Sequence, residues 1–132
     1  MRVANGTSTM NRRAIVAVID DDQSVRESLP DLLVELGFAV RTFSSAEEFL
    51  VSPNLADAEC VILDVSMPGM SGPELRRELK VRWPQLPVIF MTAQRDERLR
   101  LQLLEQDAVA CLIKPFSETA LLDAMRAALP DP

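Results

Sequence analysis

Histidine is absent from the chain. A Ser-His-Asp triad, a His-ligated zinc site and an imidazole general base are therefore excluded together. Chemistry here must rest on carboxylates, hydroxyls and lysine. Tyrosine is absent too, tryptophan occurs once, and no Gly/Ser/Thr-rich phosphate loop follows the first apolar run, so a flavin site has little to build from. Basic charge is scarce: 14 Lys and Arg stand against 20 Asp and Glu, for a net charge of −6. That is the wrong sign for a non-specific nucleic-acid binder or an anionic-membrane binder. The two cysteines, Cys60 and Cys111, fall at or inside apolar runs without metal-type spacing. They read as small core residues in a reducing compartment, with no disulfide. No run approaches membrane-spanning length, and Met1 to Arg13 lacks the apolar centre of a signal peptide, so a cytoplasmic location is expected.

What is present fits one domain of 132 residues, with a flexible tail over 1–13 and a compact unit over 14–130. Ala14 to Ile19 is a continuous β-branched run of the kind a strand buried on both faces shows. Asp20-Asp21-Asp22 follows, then a helical pattern from Ser24 to Leu36 that stops at Gly37. Pro30 lies inside that helix and is expected to kink it or delay its start. Phe38 to Phe43 reads as a second strand, and Ser44-Ser45-Ala46-Glu47-Glu48 as the capped start of a short helix. Cys60 to Leu63 is a third strand, followed by the Asp64 loop. Ser71-Gly72-Pro73-Glu74 carries the Ser-x-x-Glu spacing of a capping box and opens a helix to Arg82. Val88 to Met91 is a fourth strand, Arg95 to Gln106 a charged helix, Ala110 to Ile113 a fifth strand, and Ser117 caps a last helix through Leu129.

Five strands alternating with five helices, at intervals too long for hairpins, predict an α/β fold: a doubly wound parallel sheet with helices on both faces. Such a sheet gathers its strand C-termini along one edge. Asp20, Asp21 and Asp22, then Asp64, Thr92 and Lys114 all fall there. One acid at a strand end can simply begin a turn. Four acids, a hydroxyl and a lysine delivered by four strands point to a site.

These residues resemble the receiver domains of two-component response regulators, a CheY-like superfamily, from Ala14 to Leu129. The resemblance rests on the acid pair after the first strand, Asp64 before Met67-Pro68-Gly69-Met70-Ser71-Gly72, Thr92-Ala93 after the fourth strand, and Lys114-Pro115-Phe116 after the fifth. It implies flavodoxin-like topology with sheet order 2-1-3-4-5, and a cytoplasmic signalling role. It implies that Asp64 accepts a phosphoryl group from the phosphohistidine of a sensor kinase or phosphotransfer protein. It further implies Mg²⁺ or Mn²⁺ held by Asp21, Asp64 and the Ser66 carbonyl, with Asp20 acting largely through water and Asp22 outside. Oxygen ligands without His or Cys suit such a cation. Lys114 would supply a point charge and Thr92 a hydroxyl for phosphoryl oxygens, and Lys114-Pro115 would be cis. Chemistry would be confined to the domain's own phosphorylation and dephosphorylation, so it is not expected to be an enzyme otherwise.

Some positions depart from the family's pattern. Cys111 stands where an aromatic switch residue is usual, and Asp107 where glycine is common. In that family the positions of Ser66 and Gln94 tune water access, so the resemblance implies that these two residues set the lifetime of the acyl phosphate. The Gln23 to Leu29 run is similar to receivers joined to DNA-binding output domains, though this chain itself should bind neither DNA nor membrane. Its downstream partner or output domain is unnamed by the sequence. A homodimer would use the face of the fourth helix, fifth strand and fifth helix, with Arg95, Arg98, Arg100 and Glu105 as candidate cross-pairs. The other reading is a pseudo-receiver, a phosphorylation-independent interaction module. A phosphatase on the same topology lacks its general acid, because Ser66 stands two residues after Asp64.

Overall fold

The computed structural model describes residues 13–53, 55–93, 97–105 and 108–130, and the side chains of 97, 99 and 100 are not among what is described. In chain order the elements are β1 (Ile15–Ile19), α1 (Gln23–Glu35), β2 (Ala39–Phe43), α2 (Ala46–Leu50), a 3₁₀ turn (Leu55–Asp57), β3 (Cys60–Asp64), α3 (Gly72–Arg82), β4 (Val88–Thr92), α4 (Glu97–Leu104), β5 (Ala110–Ile113) and α5 (Glu118–Ala128). All strand pairs are parallel, in the order β2-β1-β3-β4-β5. The fold is the five-stranded doubly wound α/β sheet that the alternation predicts.

Strand alternation divides the core in two. Ala17, Ile19, Val61, Leu63, Val88 and Phe90 face Phe49 of α2, Leu75 and Leu79 of α3 and Leu103 of α4. Val16, Val18, Cys60, Ile62, Ile89 and Met91 face Leu29 and Leu33 of α1 and Leu121, Ala124 and Met125 of α5. β1, β3 and β4 are buried on both faces, which is why they read as unbroken apolar runs rather than alternating ones. Cys60 lies in the second core, where burial pushes its thiol up to about 12, and Cys111 packs beside the first. Neither cysteine forms a disulfide.

Helix starts follow the chain's own capping residues. Ser71 and Glu74 form both halves of a capping box at α3, with Glu74 N–H donating to Ser71 Oγ at 3.3 Å and Ser71 N–H to Glu74 Oε1 at 2.9 Å. Ser117 Oγ accepts from Ala120 N–H at 3.0 Å to open α5. At α1 the outcome differs from a delayed start. The helix begins at Gln23 and runs through Pro30, because Asp22 is a true N-cap, its carboxylate accepting from Ser24 N–H at 2.9 Å. Burial of Leu29 and Leu33 on either side of Pro30 offsets the backbone hydrogen bond lost there. β3 and β4 each extend one residue beyond the apolar run, so Asp64 and Thr92 are strand residues rather than loop residues. The Val65 N–H still donates to the Met91 carbonyl at 2.9 Å, which holds the strand pair closed to its end. β1 and β2 each begin one residue later than the apolar runs suggest. Arg95 and the ends expected for the fourth helix lie outside the described residues, as does Asp107.

Candidate functional site

Parallel register builds the site. Ile19 of β1 pairs with Leu63 of β3, so the next residues on each strand, Asp20 and Asp64, stand side by side at the carboxyl edge. Both are buried, Asp20 completely and Asp64 to 6 % exposure. Asp20 has both carboxylate oxygens engaged: Oδ1 accepts from Asp22 N–H at 2.9 Å and Oδ2 from Lys114 Nζ at 2.8 Å. Its main-chain carbonyl accepts a 2.7 Å bond from Nη1 of Arg26 on α1. The strand end is thus pinned from three directions.

Lys114 follows β5, where its N–H donates to the Thr92 carbonyl at 2.8 Å and its peptide bond to Pro115 is cis. From there Nζ passes over the ends of β4 and β3 to lie 3.5 Å from Asp64 Oδ1. At that distance the contact is chiefly one of charge. Burial pulls the Lys114 ammonium down, but its hydrogen bond to Asp20 and the charges of Asp64 and Asp20 outweigh it, holding the lysine above its usual value. For Asp64, burial first and the neighbouring Asp20 charge second push the carboxyl up from 3.8 to about 6, with Lys114 restraining the rise.

The carboxylates of Asp20, Asp21 and Asp64 each offer an oxygen within 4.8 Å of the others. Asp21 is exposed, so the cluster is open to solvent on one side and closed by the sheet on the other. An all-oxygen donor set with room for water fits a hard divalent cation such as Mg²⁺. Asp22 belongs to the α1 cap instead. Ser66 is exposed in the loop that leaves β3, and Thr92 is buried at the end of β4. Cys111 is half-buried on the α2–α4 side of the sheet, while Gln94 lies outside the described residues. Arg98 and Glu105 are exposed on and just after α4; Arg95 and the Arg100 side chain are not described.

Three residues of the site's frame escape a reading of the sequence. Gly72 is one: a Cβ there would collide with the Asp64 carbonyl oxygen and come within 3.0 Å of Val65 Cα. A glycine in the first turn of a helix, where stronger helix formers abound, is the signal that could have found it. Arg26 and Glu47 are the others. Glu47 Oε2 accepts from Met70 N–H at 2.9 Å, across 23 residues of chain, and no local pattern announces such a bond.

A family model described as the response regulator receiver domain matches residues 16–126. The chain belongs to this family. As a receiver domain it is 40 % identical over 119 residues to the response regulator protein TodT of Pseudomonas putida, covering 90 % of this chain and 52 % of that protein. It is 44 % identical over 114 residues to the transcriptional regulatory protein FixJ of Azorhizobium caulinodans, covering 86 % of this chain and 54 % of that one. The receiver therefore spans about half the length of these relatives. Among solved structures, the response regulator StyR is similar with a TM-score of 0.79 and 42 % identity, over 89 % of this chain and 60 % of that one. Vibrio cholerae chemotaxis protein CheY4 matches with a TM-score of 0.80 and 26 % identity, over 89 % of this chain and all of that one. Among the described residues, no helix is long and apolar enough to cross a membrane.

Proposed function

We propose that Asp64 is the phosphoacceptor of this receiver, taking a phosphoryl group from a sensor-kinase phosphohistidine in a Mg²⁺-dependent reaction. The observation that carries the proposal is the placement of a buried carboxylate at the end of β3, between a second buried acid and a lysine ammonium. An Asp64 carboxylate oxygen forms the new O–P bond as the P–N bond to the donor imidazole breaks, and the imidazole departs with the bonding electron pair. Two anions meet in that step, and the chain meets the charge problem with Lys114, whose Nζ already stands over Asp64. Asp20, Asp21 and Asp64 would hold Mg²⁺ or Mn²⁺, with the Ser66 carbonyl as a further oxygen ligand, and the cation supplies positive charge against the phosphoryl oxygens. Thr92 offers a hydroxyl at the neighbouring strand end. Its use on an attached phosphoryl oxygen would pull the start of the following loop toward Asp64 and alter the face built from α4, β5 and α5.

The domain's chemistry on this reading is limited to its own phosphorylation and hydrolysis, in the cytoplasm, with a sensor histidine kinase or phosphotransfer protein upstream. Downstream lies an output domain or partner protein, in keeping with relatives about twice as long as this chain. With Cys111 in place of a large aromatic ring, the switch would proceed through backbone and loop shifts or through dimerisation of that face.

Incubation with acetyl phosphate, with and without Mg²⁺, followed by intact-mass analysis of wild type and Asp64→Asn, tests the assignment. One Mg²⁺-dependent phosphoryl adduct that vanishes in the variant supports it. A wild-type protein that takes no phosphate, even under rapid quenching, leaves the pseudo-receiver as the better reading.

A further inference from the structure

The loop between β3 and α3 carries the Ser66 carbonyl and must hold its shape while exposed at Ser66, Pro68 and Gly69. At its base the Val65 N–H donates to Met91 at 2.9 Å and the Gly72 N–H to Val65 at 3.1 Å. Met67 turns inward and is 8 % exposed in the core shared with α2, α3 and α4. The tip is held differently. Gly69 adopts a φ of +75°, and Glu47, in the first turn of α2, reaches across to accept the Met70 N–H at 2.9 Å. The same Glu47 oxygen lies 2.7 Å from where a Cβ on Gly69 would be, so the carboxylate fills the space that the glycine leaves open. A charged acceptor on a main-chain N–H is among the stronger hydrogen bonds available to an exposed loop.

We infer that Glu47 is a positioning residue for the metal site: by clamping the Met70 amide from α2 it fixes the loop that carries the Ser66 carbonyl. This rests on the reading of the acidic cluster as a Mg²⁺ site and deepens it. Glu47 touches neither the metal nor the phosphoryl group. It acts through the loop, as outer partners of metal ligands do when they hold a ligand in its binding orientation.

The decisive comparison is Glu47→Ala against Glu47→Gln in the whole chain. Both remove the negative charge of Glu47, but only alanine removes the acceptor oxygen. Mg²⁺ affinity is read by isothermal titration calorimetry without phosphodonor, and amide hydrogen exchange at Met70 is followed on the metal-free proteins. The expected result is a loss of Mg²⁺ affinity of about tenfold in Glu47→Ala with faster exchange at Met70, and recovery of most of both in Glu47→Gln. Melting of each variant above the assay temperature shows that the change is local. Equal affinity in wild type and Glu47→Ala overturns the inference, and equal losses in both variants assign the effect to charge and overturn it as well. Wild type that binds Mg²⁺ but takes no phosphate on Asp64 sinks the phosphoacceptor reading while leaving the clamp to be judged by calorimetry. Wild type that binds no Mg²⁺ overturns both.

Discussion

Lys114 is paired with Asp20 more closely than with Asp64: its Nζ stands 2.8 Å from Asp20 Oδ2 and 3.5 Å from Asp64 Oδ1. Because Asp20 is fully buried, the lysine neutralises a carboxylate that has little access to water, while the lysine itself stays partly exposed. Lys114→Met therefore leaves a buried charge short of one partner and should destabilise the metal-free domain by about 1–3 kcal/mol. The same change removes a competing cation, so Mg²⁺ should bind the variant more tightly. Urea unfolding without metal and calorimetric titration with it check the two opposite signs.

The carboxyl of Asp64 gives the metal-free domain a pH dependence of defined direction. Its value in the fold, about 6, lies above the 3.8 of an unperturbed aspartate, so the native state holds the proton more tightly than the unfolded chain does. This group's contribution to stability is full below 3.8 and is lost as pH rises through about 6. Asp64→Asn abolishes that slope and, with burial and repulsion from Asp20 relieved, should stabilise the metal-free protein at pH 7 by about 1–2 kcal/mol after allowing for solvent screening. Chemical denaturation of both proteins across pH 4 to 8, each pH set to about a unit's spacing, makes the comparison.

Metal should act in the opposite sense to that repulsion. Mg²⁺ at about 100 times its Kd should raise stability by roughly 2.7 kcal/mol, since it binds the folded cluster and not the unfolded chain. Asp21 is exposed, so Asp21→Asn should barely change stability without metal while removing much of the gain from Mg²⁺. Melting curves with and without Mg²⁺ report both.

Gly72 abuts the Asp64 carbonyl directly, with no room for a side chain. Gly72→Ala should destabilise the domain by about 1–3 kcal/mol even though alanine is the better helix former, because the α3 start must move away from β3. If urea unfolding shows Gly72→Ala to be as stable as wild type, the close approach is not a constraint.

Much of this molecule is legible along the chain because its signals are local. Apolar runs long enough for one strand, Ser71-x-x-Glu74 and Ser117 as caps, and acids or a lysine at the ends of those runs are properties of a few consecutive residues. The doubly wound class and the gathering of Asp20, Asp21, Asp64, Thr92 and Lys114 at one edge follow from them. Sheet order came instead from the family resemblance, since parallel strands leave no mark of their neighbours in a single sequence.

Tertiary structure alone decided the pairings. Whether Lys114 meets Asp20 or Asp64 depends on the path of the chain after β5 and on strand spacing across three neighbours. That Asp22 caps α1 rather than joining the acid cluster turns on the direction the backbone takes after Asp20, and Pro30 sits within an intact register of Leu29 and Leu33 for reasons of burial. Glu47 reaching Met70, and the Gly72 backbone lying against Asp64, are contacts between distant or sharply turned segments. Composition and periodicity dictate which residues go inside and which face an edge; only packed geometry dictates which of them touch.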